Sequence, residues 1–343
     1  MLLTLLLITI LISFAFTLFL EKLFLKYSIF IDEPNARSSH KKPVPTSGGL
    51  AILFSYLIFI YLLSVFITID SDIFLILIIA ISPIITICLI DDFKNVNILL
   101  RLFTQFFTAS LIIYYFQLSN DMFFDADSYT RQSALLIIIL SVILSMWLMN
   151  LYNFMDGIDG YASLECIFIS LAASLLAYNN NPNSFIYMYL AGLGAANLGF
   201  LIRNWYPAKI FMGDTGSVSL GCIIAFYIFF SASESILSIY TWLILLSIFI
   251  ADASYTLLVR IVTKRNIAHP HLTHAFHILT IKKNSHLFTI KWMIIINMVW
   301  VFPLALLTNT YMSYHIVITM VAYLPLLFYL IKIGAGLEQN KNQ

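Results

Sequence analysis

Long apolar runs alternate with short polar connectors along almost the whole chain. Eleven runs can be marked, at roughly 2–20, 48–69, 73–90, 98–118, 132–150, 161–178, 185–203, 216–233, 238–260, 290–309 and 314–333. Each approaches the ~20 residues a helix needs to cross a bilayer core. Backbone groups in lipid must be satisfied within the segment, and the runs are continuous, without the period of two of barrel strands, so helices are predicted. The longest polar connectors are about 21–47 and 261–289, and no internal repeat is visible. The expected architecture is all-α: a polytopic integral membrane protein with ten or eleven transmembrane helices, a single domain over 1–343 and a polar tail at 334–343.

Composition removes the alternatives. Of 343 residues, 61% are hydrophobic and 10% charged, where soluble domains run near 25% charged. A soluble enzyme, a disordered chain and a disulfide scaffold are all excluded by that balance. The net charge of +1 gives no pull toward nucleic acid. Cys88, Cys166 and Cys222 lie in or beside apolar runs and read as reduced, packed thiols. The first run lacks a basic leader and a small-residue cleavage site, so it reads as a retained span.

Lysine and arginine give the orientation. With the N-terminus outside, the inner connectors are 21–47, 91–97, 151–160, 204–215, 261–289 and the tail. Of the 18 basic residues, all but Arg131 then fall on the inner side, counting those at the adjoining span ends. Asp91, Asp92, Asp156, Asp159 and Asp214 also fall there, each close to the end of an apolar run. Carboxylates gathered on one membrane face repel one another unless cations balance them. A divalent cation with Lys and Arg is the economical balance.

The strings themselves suggest chemistry. Asp91–Asp92 closes the third span, its two side chains about 100° apart on a helix, so they address different partners. Asn150, Asn153 and Asp156 recur every third residue, could line one helical face, and carry hard oxygens suited to Mg2+. Asp214, in Phe211-Met-Gly-Asp214-Thr-Gly-Ser217, is either a helix cap or a metal ligand beside a phosphate-facing helix start. The first inner loop carries Arg37, His40, Lys41 and Lys42, read as phosphate ligands or as a positive-inside anchor. His271, His274 and His277 stand three apart; zinc is one reading, but with no Cys nearby, hydrogen bonding to phosphate oxygens is the better one.

Taken in order, these five segments resemble the polyprenyl-phosphate N-acetylhexosamine-1-phosphate transferase superfamily over about residues 30–280. The Arg37-Ser-Ser-His40 form looks most like the branch that starts O-antigen, lipopolysaccharide or related cell-wall glycans. The resemblance implies transfer of a sugar 1-phosphate from a UDP-N-acetylhexosamine to undecaprenyl phosphate, with release of UMP. It implies a cytoplasmic active site in a multi-pass protein of the bacterial inner (plasma) membrane, Mg2+ as cofactor with Mn2+ as a substitute, and compatibility with a homodimer. By motif, Asp214 and Asn153 resemble the metal ligands. Asp91, Asp92, Asp156 and Asp159 are the candidate catalytic carboxylates. Arg37, His40, Asn150, Asn204, Lys209, Phe211, His271 and His274 are candidates for substrate binding, Phe211 as a uracil stack. Leu272 departs from the pattern, since related sequences often carry Arg there.

The rival for such a topology is a membrane transporter, whose ionisable groups sit within spans near the midplane. Glu165 and Asp252 are the acidic residues inside spans here, both toward the inner end, and Asp252 is expected to pair with Arg260 two turns on.

Overall fold

The computed structural model describes residues 1–34, 42–67, 71–94, 96–120, 131–266 and 271–338. The chain divides into two compact units, Met1–Leu237 and Ser238–Gln343.

The first unit holds α1 (Leu2–Tyr27), β1 (Ile31–Asp32), β2 (Val44–Pro45), α2 (Gly49–Phe66), α3 (Ser71–Phe93), α4 (Ile98–Asn120), α5 (Arg131–Met155), α6 (Tyr161–Asn180), α7 (Ile186–Asn204) and α8 (Gly213–Ser233). The second holds α9 (Ile239–Leu245), α10 (Ser247–Val262), α11 (Ala275–Lys283), α12 (His286–Ile296), a π turn (Asn297–Val301), α13 (Phe302–Thr310), a 3-10 turn (Met312–Tyr314) and α14 (His315–Ile333). Among the described residues, ten segments are long and apolar enough to cross a membrane, or eleven with the bent pair α9–α10. The chain is an all-α, multi-pass membrane protein.

α8 is the axis of the first unit. Its spanning window is 94% buried, where that of α1 is 22%. It packs against α2, α3, α4 and α5. Lipid offers no hydrophobic drive for helix association, so close approach at small residues does the work. A Cβ on Gly221 would lie 2.4 Å from the Leu148 carbonyl of α5, and one on Gly49 would lie 2.2 Å from Gly216 Cα. In the same dry interior the Tyr56 and Tyr227 hydroxyls hydrogen-bond, fixing α2 against α8. On the other flank α7 packs on α1, α2 and α6. Arg203 of α7 grips Glu21 of α1 with two bonds of 2.8 and 2.7 Å.

In the second unit the structure departs from the expected elements. The ninth span is broken, α9 and α10 meeting at 76°. The 261–289 connector is partly helical: α11 spans Ala275–Lys283, and α12 opens at His286, capped by the Ser285 hydroxyl. The reason is local. Ala275 and Ile278 are buried and, with Ala251, Leu330, Ile333 and Ala335, line a small core of this unit that the polar composition of the connector conceals.

Candidate active site

Two helix C-termini, of α3 and α5, two helix starts, of α4 and α8, and one loop converge at one end of the first unit. Asp91 and Asp92 close α3, and the helix rotation sends them to different neighbours. Asp91 accepts from Arg101 Nη1 at 2.5 Å and from the Val96 N–H at 2.6 Å. Asp92 accepts from the Ser47 hydroxyl and from the Thr215 hydroxyl, the latter at 3.1 Å. Arg101, in the first turn of α4, reaches past Asp91 and places Nη2 2.8 Å from Asp214 Oδ2. The other oxygen of Asp214 receives Asn153 Nδ2 at 2.8 Å. Asp91, Asn153 and Asp214, predicted from separate strings, are therefore joined through one guanidinium and one amide.

A strand-like path fixes the loop that carries Ser47. β1 and β2 pair antiparallel, Ile31 opposite Pro45 and Asp32 opposite Val44. Beyond them the Pro45 carbonyl receives the Phe211 N–H, and Gly48 and Gly49 donate to the carbonyls of Phe211 and Met212. Gly213 takes φ +73°, a turn that a Cβ would drive 2.6 Å from the Ser47 nitrogen. That turn starts α8 with Asp214 in its first turn, where an anion is favoured by the helix dipole.

The remaining candidates divide by their surroundings. Asn204 is buried; its oxygen accepts from the Gly160 N–H and the Ser163 hydroxyl, and its amide donates to the Ile210 carbonyl. Asp159 accepts from the Ala208 N–H at 2.9 Å. These two brace the 156–160 and 204–211 loops against each other. Phe211 is half-buried and Lys209 is exposed on the same loop. Asn150 and Asn153 stand three apart on α5 but take different partners, Asn150 exchanging hydrogen bonds with Gln105, and α5 ends at Met155, before Asp156. The helical period therefore stops before Asp156. In the second unit the His271 and His274 rings stack with centroids 5.0 Å apart. Asp252 engages His274 and not Arg260, whose Nη2 goes to the Asn266 carbonyl. Arg37 and His40 lie outside the described residues.

Among the described residues no three His, Cys, Asp or Glu side chains stand close enough to cage a metal. Mg2+ does not require that, since it keeps several waters and takes one or two carboxylates plus phosphate oxygens. Asp214, 33% exposed, with the Asn153 amide beside it, offers an all-oxygen donor set of that kind. The donors fit the ion.

Asp156 feels the same crowd of acids. Burial, followed by the charges of Asp214 and Asp159, pushes its carboxyl well above the usual carboxylate range. The side chain is only half-covered, so water offsets part of the rise. Asp156→Asn should therefore raise the Tm in chelator by ~2 °C at alkaline pH. The gain should vanish as pH falls through the raised value toward 3.8, where the native carboxyl is also neutral. Thermal melts of both proteins across pH check this; no difference at any pH would show that Asp156 is not strained.

Arg101, Ser47 and Thr215 escape a reading of the sequence. Arg101 carries the signal of a positive-inside anchor, and the two hydroxyls sit in cap-like strings. Only the fold brings Ser47 and Thr215 to Asp92, across 45 and 123 positions.

Comparison with known proteins points the same way. Residues 74–232 match the model of glycosyl transferase family 4. A probable undecaprenyl-phosphate N-acetylglucosaminyl 1-phosphate transferase of Bacillus subtilis (strain 168) is 29% identical over 268 residues, 75% of this chain and 71% of that protein. A phospho-N-acetylmuramoyl-pentapeptide-transferase of Prochlorococcus marinus is 29% identical over 235 residues, 65% of each chain. One of the same description from Halalkalibacterium halodurans is 31% identical over 255 residues, 68% of this chain and 77% of its own. The matched stretch contains α4, α5, α6 and α7 whole, with the α3 and α8 ends that carry Asp91, Asp92 and Asp214. With that coverage and identity, the chain belongs to glycosyl transferase family 4, within the polyprenyl-phosphate N-acetylhexosamine-1-phosphate transferase superfamily.

Proposed function

We propose that the protein transfers an N-acetylhexosamine 1-phosphate from a UDP-sugar to undecaprenyl phosphate, releasing UMP and starting a surface glycan such as O-antigen. The observation that carries this reading is the Asp91–Arg101–Asp214–Asn153 cluster at the joined ends of α3, α4, α5 and α8. A site at span ends on the basic, cytoplasmic face meets both reactants: a lipid phosphate whose tail stays in the bilayer, and a nucleotide arriving from water.

The chemistry is a displacement at phosphorus. An oxygen of the acceptor phosphate attacks the sugar-bearing phosphorus, a new P–O–P link forms, the old one breaks, and UMP leaves with the bridging oxygen. One phosphoanhydride replaces another, so no ATP is consumed. Both reactants are anions, and repulsion is the chief obstacle. Asp214 and Asn153 would hold Mg2+, which would supply charge neutralisation to the phosphates. Arg101 holds Asp91 and Asp214 together and brings a fixed positive charge to the approaching phosphates. Asp92, clamped by Ser47 and Thr215, ties the end of α3 to the starts of α2 and α8. Phe211 offers a face for uracil, and Asp159 and Asn204 hold its loop. The acceptor phosphate is largely ionised near neutral pH, its second pKa being about 6. Alignment therefore matters more than a strong base.

The purified protein in nanodiscs, given undecaprenyl phosphate, Mg2+ and a panel of UDP-sugars (GlcNAc, GalNAc, FucNAc, QuiNAc), should release UMP with one donor far ahead of the rest. Chelation should stop release, and Mn2+ should restore it. No UMP with any donor, under conditions where the protein melts cooperatively, would end this reading.

A further inference from the structure

The first unit contains an amide pair that the scheme above does not use. Gln105 of α4 is 1% exposed, and Asn150 of α5 is half-buried against it. Asn150 Nδ2 donates to Gln105 Oε1 at 2.7 Å, and Gln105 Nε2 donates back to Asn150 Oδ1 at 3.4 Å. Asn150 Nδ2 also donates to the Met146 carbonyl of its own helix at 2.8 Å. Both protons of the Asn150 amide are thus committed to the protein. The pair is uncharged and lies within two spans, so it adds nothing to the electrostatics of the site.

Its place along the helices gives it a use. Gln105 follows Arg101 by four residues on α4, and Asn150 precedes Asn153 by three on α5. Each amide is therefore the helical neighbour of a site residue, one turn deeper in the membrane. Arg101 Nη2 and Asn153 Nδ2 meet on the two oxygens of Asp214. α4 and α5 are thus joined twice: directly through the amides, and one turn on through a carboxylate of α8. α4 needs the deeper joint. Its spanning window is 28% buried, and Leu99, Phe103, Phe106 and Phe107 are exposed. Apolar packing alone does not hold such a helix in one rotation, because lipid tails are as apolar as its side chains. Two amides that exchange hydrogen bonds do hold it, since those bonds weaken steeply with distance and angle. α5 in turn is set on α8, where a Cβ on Gly221 would strike the Leu148 carbonyl and Met149 Cα.

We propose that Gln105 and Asn150 are positioning residues, whose amide exchange sets the rotation and depth of α4 against α5 so that Arg101 and Asn153 arrive together on Asp214. This rests on the reading of Arg101, Asn153 and Asp214 as the site. Asn150 then serves the reaction through Gln105 and not as a ligand of the substrate.

Four variants of the full-length protein in nanodiscs test this: Gln105→Met, Asn150→Leu, the two combined, and the exchange Gln105→Asn with Asn150→Gln. Each single apolar change leaves a buried amide without its partner, so the Tm should fall. The combined apolar variant removes both amides at similar shape, and its Tm should return close to the parent. Activity should not follow the Tm. The kcat for UMP release should fall about 10- to 100-fold in both single variants and stay low in the combined one, with the donor KM little changed. Mn2+ affinity, read by electron paramagnetic resonance without turnover, should weaken about tenfold in the same three proteins. The exchange variant again sets amide against amide at the same summed length, and it should recover most of the kcat and the Mn2+ affinity. A combined apolar variant with parental kcat and Mn2+ affinity, or a kcat that tracks the Tm through all four proteins, would make the pair a packing element and overturn the proposal. A slow Asn150→Leu beside a parental Gln105→Met would make Asn150 a substrate ligand and overturn it as well. If the parent releases no UMP from any donor, the functional reading fails, and Mn2+ affinity alone decides this proposal: weakening in Gln105→Met supports it, and parental affinity overturns it.

Discussion

Asp214→Asn should lower UMP release by ~10³-fold or more while leaving the protein inserted and folded. The side chain keeps its shape, so the packing of α8 is undisturbed. What changes is charge. On the proposed mechanism a neutral amide would give up the anionic donor that would hold Mg2+, worth several kcal/mol at a developing phosphate charge, and each 1.36 kcal/mol is tenfold in rate. It also frees one arm of Arg101, which now bonds Asp214 at 2.8 Å. Two measurements separate site from scaffold. Mn2+ binding followed by electron paramagnetic resonance should weaken at least tenfold, and the Tm in chelator should stay within a few degrees of the parent. Parental activity, or unchanged Mn2+ affinity, would remove Asp214 from the site.

Gly49→Ala should be nearly as damaging by a different route. The added Cβ would lie 2.2 Å from Gly216 Cα and 2.8 Å from its nitrogen, and both are backbone atoms of α8. No side-chain rotation relieves that overlap, so α2 and α8 must separate at the point where Ser47 and Thr215 hold Asp92. Overpacking of this kind costs ~1–3 kcal/mol, and displacement of catalytic groups by about 1 Å costs ~10²-fold in rate. A Tm lower by several degrees and a kcat lower by ~10²-fold are expected. Gly194→Ala is the control: its Cβ would meet the movable Leu171 side chain at 3.2 Å, and Tm and kcat should barely change. If Gly49→Ala behaves like the control, the close crossing of α2 and α8 is not what shapes the site.

The spans were legible because their physics is one-dimensional: ~20 apolar residues cross a bilayer wherever they occur. The aspartates were legible because acids at the ends of apolar runs are expensive. What stayed hidden is three-dimensional. The break between α9 and α10 falls at Leu245-Leu246-Ser247, with neither Pro nor Gly to mark it. α11 was hidden by its lysines and histidines, since its anchor is Asp252, distant in sequence. Asn150 and Asn204 look like ligands in a string of polar residues, yet their amides meet Gln105 and the backbone of neighbouring loops. An asparagine in a sequence does not say whether its partner is a substrate or the protein.

The arginine pinned between Asp91 and Asp214 bears on how such a chain is made. A cluster of bare acids would have to await a mineral ion before its helices could settle together. Here the neutralising charge is encoded in the same polypeptide and arrives with the fourth helix. Assembly in the bilayer would thereby be uncoupled from the cell's supply of divalent ions, and, if the proposed Mg2+ chemistry holds, starvation for them would idle the finished protein without dismantling it.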